Sequence, residues 1–167
     1  MANESAPQPE KGDQQFSGEM AHLVCFRLGE EEYGVDIGQV QEINRMMPIT
    51  RVPRAPAFMK GVINLRGQLI PIVDLRRRFG MVPIEPTKAT RIVVVEIGQN
   101  RVGLIVDGVS EVLKIPVEHV EAAPNMMADA DAGYVRGVGK SGERLIVLLD
   151  LAPIILSTTE ADATPAS

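Results

Sequence analysis

The amino-acid sequence predicts a mainly β fold in which two small β-barrel subdomains pack side by side, with few and short helices. The apolar residues come in runs of four to eight that are rich in Val and Ile, which is typical of strands. Gly, Pro or Asn separates these runs, as expected for turns. The same pattern of runs and turns occurs twice along the chain, which indicates two similar units.

The apolar runs define nine predicted strands. They lie near residues 22–28, 33–37, 59–65, 68–74, 91–97, 101–107, 109–115, 134–140 and 143–149. Two of the runs, LIPIVDL and LIVLLDL, are apolar almost throughout, so both of their faces should be buried. Arg66-Gly67 should form a hairpin turn. Pro71 has no amide donor and predicts an edge strand or a bulge at that position.

Three short helices are predicted, each after an aspartate. The first runs from Asp36 through Ile43, the second follows Asp74, and the third follows Asp150 through Leu156. Asp74 and Asp150 each come directly after a strand, where a carboxylate can cap the free amide groups of a first helical turn.

An internal repeat connects the two halves of the chain. Residues 28–43 align with residues 97–112 at an offset of 69, and residues 61–75 align with residues 137–151 at an offset of 76. An insertion around 121–133 would account for the change in offset. Chance similarity between aliphatic segments is the alternative for either alignment alone, but matched glycines in both favour duplication.

The composition argues against several functions. The net charge of -5 and the pI near 5.1 disfavour a nucleic-acid-binding protein. Neither a signal peptide nor an apolar run long enough to span a membrane is found, so the chain is expected to be cytoplasmic. Residues 1–19 and 157–167 are polar and are expected to be disordered tails around a domain at 20–156.

No set of residues predicts a catalytic, cofactor or metal site. Cys25 lies in an apolar run and predicts a buried thiol, and His22 and His119 have no ligand-type neighbours at metal-binding spacing. Gly139-Lys140-Ser141 resembles the end of a phosphate-binding loop but lacks the leading glycine and joins two strands. Arg76-Arg77-Arg78 either forms a solvated helix face or contacts an acidic partner.

Three segments carry a resemblance to a known family. EEYGVDIGQVQEI, PAFMKGVINLRGQLIPIVDLRRRFG and VGLIVDGVSEVL occur in an order and at a spacing that closely resemble the CheW family of bacterial chemotaxis coupling proteins. The resemblance covers about Leu23 to Leu156. It implies two SH3-like five-stranded β-barrels with a hydrophobic groove between them.

The resemblance also implies a scaffold rather than an enzyme. Its expected partners are the cytoplasmic tip of methyl-accepting chemoreceptors, the regulatory domain of the histidine kinase CheA, and other CheW copies in array rings, with neither nucleic acid nor direct membrane insertion involved. The alternatives are a module of the same fold in another sensory array and a small-molecule enzyme. The motifs place the receptor and kinase surfaces at Val40, Glu42, Gly61, Asn64, Arg66, Val109 and Val112.

Some of these positions also have a purely structural interpretation. The three valines could be core residues, and Gly61 could serve backbone geometry alone. For Arg66, one hypothesis is an ion pair with Glu42 that shapes the receptor site. The alternative is that the Arg66 side chain points into water.

Overall fold

The computed structural model describes residues 19–122 and 134–154. Within these residues the chain forms eleven strands: β1 Met20–Leu28, β2 Glu31–Asp36, β3 Val40–Arg45, β4 Met59–Leu65, β5 Gln68–Asp74, β6 Arg91–Ile97, β7 Asn100–Val106, β8 Gly108–Pro116, β9 Val120–Ala122, β10 Val135–Ser141 and β11 Arg144–Leu149. Helix α1 spans Leu75–Arg78, and residues 151–154 are also helical. The predicted tails, apart from Glu19, and the predicted insertion beyond Ala122 lie outside the described residues, so they stay predictions.

The strands form two sheets that confirm the predicted two-unit β fold. One sheet has the order β8-β1-β2-β11-β10-β9, and the other has the order β3-β6-β7-β5-β4. The prediction of five strands per unit is right for the second sheet and wrong for the first, which has six. The sixth strand, β9, is only three residues long, which is too short to show a strand pattern in the sequence.

The sheets support the internal duplication in detail. In the order given above, β8, β1, β2, β11 and β10 occupy the places of β3, β6, β7, β5 and β4. Gln41 bulges out of the β3–β6 pairing and Ser110 out of the β8–β1 pairing, and these residues differ by the offset of 69. Lys60 and Arg136 bulge in the same way and differ by the offset of 76.

The chain exchanges strands between the two units. Strands β1 and β2 belong to the six-stranded sheet, β3 to β7 form the five-stranded sheet, and β8 to β11 return to the first. Each repeat therefore has two strands in one sheet, and all its strands after the crossover lie in the other sheet. The first crossover is the 3-10 turn Ile37–Gln39, and the second is Asp107 between β7 and β8.

The first predicted helix is wrong beyond this turn. Residues Ile37–Gln39 make one 3-10 turn, which the Asp36 carboxylate caps by accepting from the Gly38 amide at 2.8 Å, and β3 begins at Val40. Pairing with β6 fixes β3 as a strand, so tertiary contacts override the local helical signal. The other two caps are confirmed: Asp74 accepts from the Arg76 amide at 3.1 Å and Asp150 from the Ala152 amide at 3.2 Å.

Among residues 19–122 and 134–154, three apolar clusters form the interior. A central cluster joins the facing sides of both sheets, with Phe26 and Tyr33 from one and Val93 and Leu104 from the other. Each sheet also has its own cluster on its far side, around Ile146 in the six-stranded sheet and around Ile72, Ile92 and other residues in the five-stranded sheet. Strands β5 and β11 contribute to both kinds of cluster, which confirms the predicted burial of both faces from Ile70 and Ile146 onwards. The prediction is wrong for the first leucine of each run, since Leu69 and Leu145 are exposed.

Pro71 lies on an interior strand, so the edge-strand alternative is wrong. Strand β5 has β7 on one side and β4 on the other. The parallel pairing with β7 begins only at Ile72, and Val62, opposite Pro71, makes its amide and carbonyl bonds to Thr50 instead. The missing N–H of Pro71 therefore removes no bond from the sheet.

Candidate partner-binding surfaces

The predicted ion pair between Arg66 and Glu42 is present at one end of the five-stranded sheet. Arg66 occupies the two-residue hairpin turn between β4 and β5 with φ of 53°, and Gly67 follows with φ of 87°, as a type I′ turn requires. Asn64 supports the turn because its Oδ1 accepts from the Gly67 amide at 2.9 Å. The pair crosses from the first strand of this sheet, β3, to the β4–β5 hairpin.

The surface around this pair is polar. A shallow cleft of about 290 Å³ is lined by Gln41, Glu42, Leu65, Arg66, Gln68 and Arg101, among others. Arg101 bonds to the Gln68 side chain and lies 3.9 Å from a carboxylate oxygen of Glu96. Because Arg66 is 71% exposed, the pair presents a guanidinium to solvent while the Glu42 side chain is three-quarters covered.

The three predicted valines lie on the outer strands of the two sheets. Val40 on β3 and Val109 on β8 pack partly buried against the central cluster, whereas Val112 is 55% exposed. Directly opposite residues point to the same side of a sheet. Val40, Val109 and Val112 lie opposite Val95, Phe26 and Val24, which all belong to the central cluster, so the three valines lie on its side of the sheets.

Sequence reasoning missed Ile43, which is 41% exposed and lies on the same side of β3 as Val40. Its repeat equivalent at the offset of 69 is Val112, so the alignment contained the signal. We call Val40, Ile43, Val109 and Val112 the outer-strand surface. It presents aliphatic side chains from both sheets at the margin of the central cluster.

Gly61 is buried inside the five-stranded unit. A Cβ at this position would overlap the carbonyl oxygen of Thr50, and φ is 148°. Thr50 pairs with the neighbouring Val62 through two backbone hydrogen bonds of 2.9 and 2.8 Å. The position therefore supports the backbone-geometry interpretation of this residue.

At the corresponding end of the six-stranded sheet, Arg144 joins three strands. Its guanidinium binds Glu32 on β2 through bonds of 3.0 and 2.7 Å, and Glu111 on β8 at 2.6 Å. The hydrogen bond from Arg144 holds the pKa of Glu32 below its ordinary value. Glu111 is the repeat equivalent of Glu42, and both glutamates bind an arginine. The arginines come from positions that are not equivalent in the repeat, namely Arg66 and Arg144.

The three consecutive arginines bind within the chain. Arg76 bonds to Asp107 through its Nε at 2.9 Å and its Nη2 at 2.7 Å, and Arg77 lies 3.7 Å from Asp74. Arg78 stacks between the rings of Phe58 and Tyr134, two residues that differ by the repeat offset of 76. Both predicted alternatives, a solvated helix face and a contact with an acidic partner protein, are therefore wrong for Arg76 and Arg78. These two side chains make contacts within the chain instead.

The family model described as the CheW-like domain matches residues 22–158. The chain belongs to the CheW family. It is 42% identical over 135 residues to the chemotaxis protein CheW of Klebsiella aerogenes, covering 81% of each chain. It is 40% identical to a probable chemotaxis protein CheW of Rhizobium etli, covering 84% of this chain and 90% of the relative. The crystal structure of the scaffolding protein TtCheW from Thermoanaerobacter tengcongensis is similar with a TM-score of 0.76 at 39% identity, covering 80% and 90% of the two chains.

In this CheW-family chain, Cys25 and the segment Gly139-Lys140-Ser141 both lie in strands. Burial raises the pKa of the Cys25 thiol to about 11, with a smaller effect from Glu32, so the thiol is not an activated nucleophile. Gly139, Lys140 and Ser141 lie in β10, where Lys140 pairs with Glu121 at 2.9 Å. Among residues 19–122 and 134–154, no group of three or more His, Cys, Asp or Glu side chains could hold a metal ion. No helix in the same part of the chain is long and apolar enough to cross a membrane.

Acid is expected to destabilise this CheW-family fold through Glu32 and Asp107. Burial raises the pKa of Asp107, but hydrogen bonds from Arg76 and the Gly29 amide outweigh it and hold the pKa below its ordinary value. A carboxylate with a lowered pKa in the folded state stabilises at neutral pH, and this contribution is lost as the pH falls through the folded-state pKa. The free energy of unfolding, measured with urea, should therefore fall below about pH 4.

Replacing both carboxylates should reduce this dependence on pH. We expect Glu32→Gln with Asp107→Asn to be less stable at neutral pH and to lose less stability on acidification. Glu30→Gln, at an exposed position on the β1–β2 turn, is the matched control and should keep the dependence of the unaltered chain. If the double variant lost as much stability as the control, these two groups would not be the source of the acid sensitivity.

Proposed function

We propose that this chain is a non-catalytic chemotaxis scaffold that couples methyl-accepting chemoreceptors to the histidine kinase CheA in receptor arrays. The observation that carries the proposal is the match to the CheW-like domain over residues 22–158, together with relatives named as chemotaxis proteins and a solved scaffolding protein of the same fold. The chain would act in the cytoplasm and be recruited to arrays at the membrane through its partners.

The outer-strand surface is the proposed receptor site. Its aliphatic side chains suit the apolar face of a helix in the receptor tip, and binding of a helix in such a groove depends on apolar anchors. Val112 and Ile43 supply the most accessible apolar area of this surface. Val40 and Val109 would support it from below, since both contact the central cluster.

We propose that the polar end of the five-stranded sheet forms a second part of the receptor site. Glu42 and Arg66 form its ion pair, and Asn64 holds the turn that presents Arg66. Gly61 would contribute only indirectly, by allowing Thr50 to pair with β4. The CheA regulatory domain and other copies of the chain would pack against other parts of the two units.

A pull-down with two baits tests the proposed function. The unaltered chain should be retained by a receptor signalling tip, by a CheA regulatory domain, and by both together. A chain that binds neither bait would not be a chemotaxis coupling protein, and the alternative of a module in another sensory array would then replace the proposal.

A charge-swap cycle tests the role of the ion pair in receptor binding. Arg66→Glu and Glu42→Arg should each weaken binding to the receptor tip, because each places two like charges side by side. The double swap should recover part of the affinity, since the pair is restored in reverse. The pair itself should add only about 0–1 kcal/mol to stability, because Arg66 is largely exposed.

The exposed pair of Lys140 and Glu121 on the other unit is the matched control. Swapping its charges should leave receptor binding unchanged. Strictly additive losses in the Arg66 and Glu42 cycle would mean that each residue acts independently, most simply with Arg66 contacting the receptor directly.

A further inference from the structure

A second concave surface lies at the opposite end of the five-stranded sheet from Arg66. Strand β3 runs from the Glu42 end to Arg45, and β4 begins at Met59 and runs back towards Arg66, so residues 46–58 connect the far ends of these strands. This connection, with Lys60 and Arg77, lines a cavity of about 760 Å³, which is within the size range of ligand-binding clefts. We call it the cationic pocket.

The lining of the pocket carries positive charge. Four cations line it, namely Arg51, Arg54, Lys60 and Arg77, and its described lining contains no Asp or Glu. Arg77 lies 3.7 Å from Asp74, and Lys60 also lines a smaller cavity that contains Asp74 and Glu85. Arg51, Arg54 and Lys60 make no ion pair among the described residues. A local excess of positive charge is notable in a chain whose net charge is -5.

The backbone of Arg54 adds an independent observation. Arg54 has φ of 67°, and the only other described residue besides glycine with positive φ is Arg66. Left-handed backbone is unfavourable for a residue with a Cβ, and glycine would relieve this strain. Such strain is found preferentially at functional sites. The side chain of Arg66, the other residue with this strain, makes an ion pair. If the Arg54 side chain binds an anion, that role would explain why a strained position carries an arginine.

The rest of the lining indicates the kind of anion. Met46, Met47 and Ile49 lie between the pocket and the far-side cluster of the five-stranded sheet, and give it an apolar wall. Pro53 and Pro56 have no N–H, so this part of the connection offers few of the backbone donors that phosphate-binding loops use. Arginine guanidinium groups bind carboxylates through paired hydrogen bonds, and methionine side chains pack against apolar side chains. A polypeptide segment that carries both carboxylates and apolar side chains would therefore fit this lining.

We propose that the cationic pocket is a docking site for an acidic segment of a partner protein. The segment carries several carboxylates for Arg51, Arg54 and Lys60 and at least one aliphatic side chain for the methionine wall. The site is separate from the outer-strand surface and from the Arg66–Glu42 pair. It does not depend on which protein binds at those surfaces.

Fluorescence anisotropy with a blocked peptide tests the site. The probe has four glutamates and two leucines, and its partner probe has glutamine at the four acidic positions. We expect the acidic peptide to bind the full chain, with an affinity that falls as salt rises, and the neutral peptide to bind much more weakly. Arg54→Gly combined with Arg51→Gln should weaken binding about tenfold or more.

The glycine in this variant separates binding from folding, because it relieves the strained φ and should leave the thermal midpoint unchanged or higher. Lys88→Gln with Arg136→Gln removes two exposed cations elsewhere and is the matched control for net charge. The proposal is overturned if the pocket variant binds the acidic peptide as well as this control does. It is also overturned if the neutral peptide binds equally well.

Two further measurements exclude other occupants. Inorganic phosphate that displaces the peptide far better than chloride at equal ionic strength would make the pocket a small-anion site. A rise in peptide affinity after Glu160→Gln with Asp162→Asn would show that the acidic C-terminal segment of the chain itself competes for the pocket. Either result would replace the partner segment as the occupant, and unchanged affinity in both measurements is the expected outcome.

Discussion

Gly61→Ala is expected to destabilise the folded chain by roughly 3 kcal/mol or more, because two unfavourable effects act at one position. The added Cβ would overlap the Thr50 carbonyl oxygen, which is backbone and cannot rotate away. The φ of 148° is also unfavourable for any residue with a side chain. Relief requires residues around Thr50 to move off β4, with loss of both Thr50–Val62 hydrogen bonds. Urea unfolding at neutral pH measures the change.

Two other glycines separate these effects. Gly67→Ala places a Cβ in open space at φ of 87°, so it should cost only about 1 kcal/mol. Gly137→Ala, the repeat equivalent, overlaps the Glu121 carbonyl oxygen without a positive φ, and its cost should lie between the other two. Equal losses for Gly61→Ala and Gly67→Ala would show that Thr50 does not hold β4. A stable Gly61→Ala chain that no longer bound its partners would restore the binding interpretation of Gly61.

The part of the fold that local sequence determines was predictable. All nine predicted runs begin and end within two residues of an observed strand, because Val- and Ile-rich segments between turns favour strands wherever they pack. The repeat was also readable, since duplicated strands keep their glycines and bulges. The Arg66–Glu42 pair could be predicted because both residues lie in recognisable motifs.

The strand exchange could not be read from local sequence. Whether β3 pairs with β6 or with a strand of its own repeat is decided by contacts between residues about fifty positions apart. The helical prediction over residues 38–43 failed for the same reason, because pairing with β6 outweighs local preference. Arg144 lies 112 positions from Glu32 and 33 from Glu111, and no spacing rule connects these residues. Ile43 is different, since its alignment with Val112 marks it without any structure.

Val112→Asp is expected to weaken binding to the receptor tip about thirtyfold while the chain stays folded. An apolar receptor helix seated on the outer-strand surface would remove water from the new carboxylate without supplying a partner. Because Val112 is 55% exposed, the folded chain itself leaves the carboxylate hydrated, and the thermal midpoint should change little. Ile43→Asp should behave in the same way. Titration with a fluorescently labelled receptor-tip peptide measures the loss.

Val82→Asp is the matched control, since Val82 is 77% exposed and lies on neither outer strand. It introduces the same charge and should leave receptor binding unchanged. Val40→Asp is a less selective variant, because Val40 packs against the central cluster and its replacement should lower stability as well as affinity. Full affinity in both Val112→Asp and Ile43→Asp would place the receptor elsewhere on the chain. Loss in only one of them would mean that the receptor contacts one sheet, and that the apolar margins of β3 and β8 do not act as a single surface.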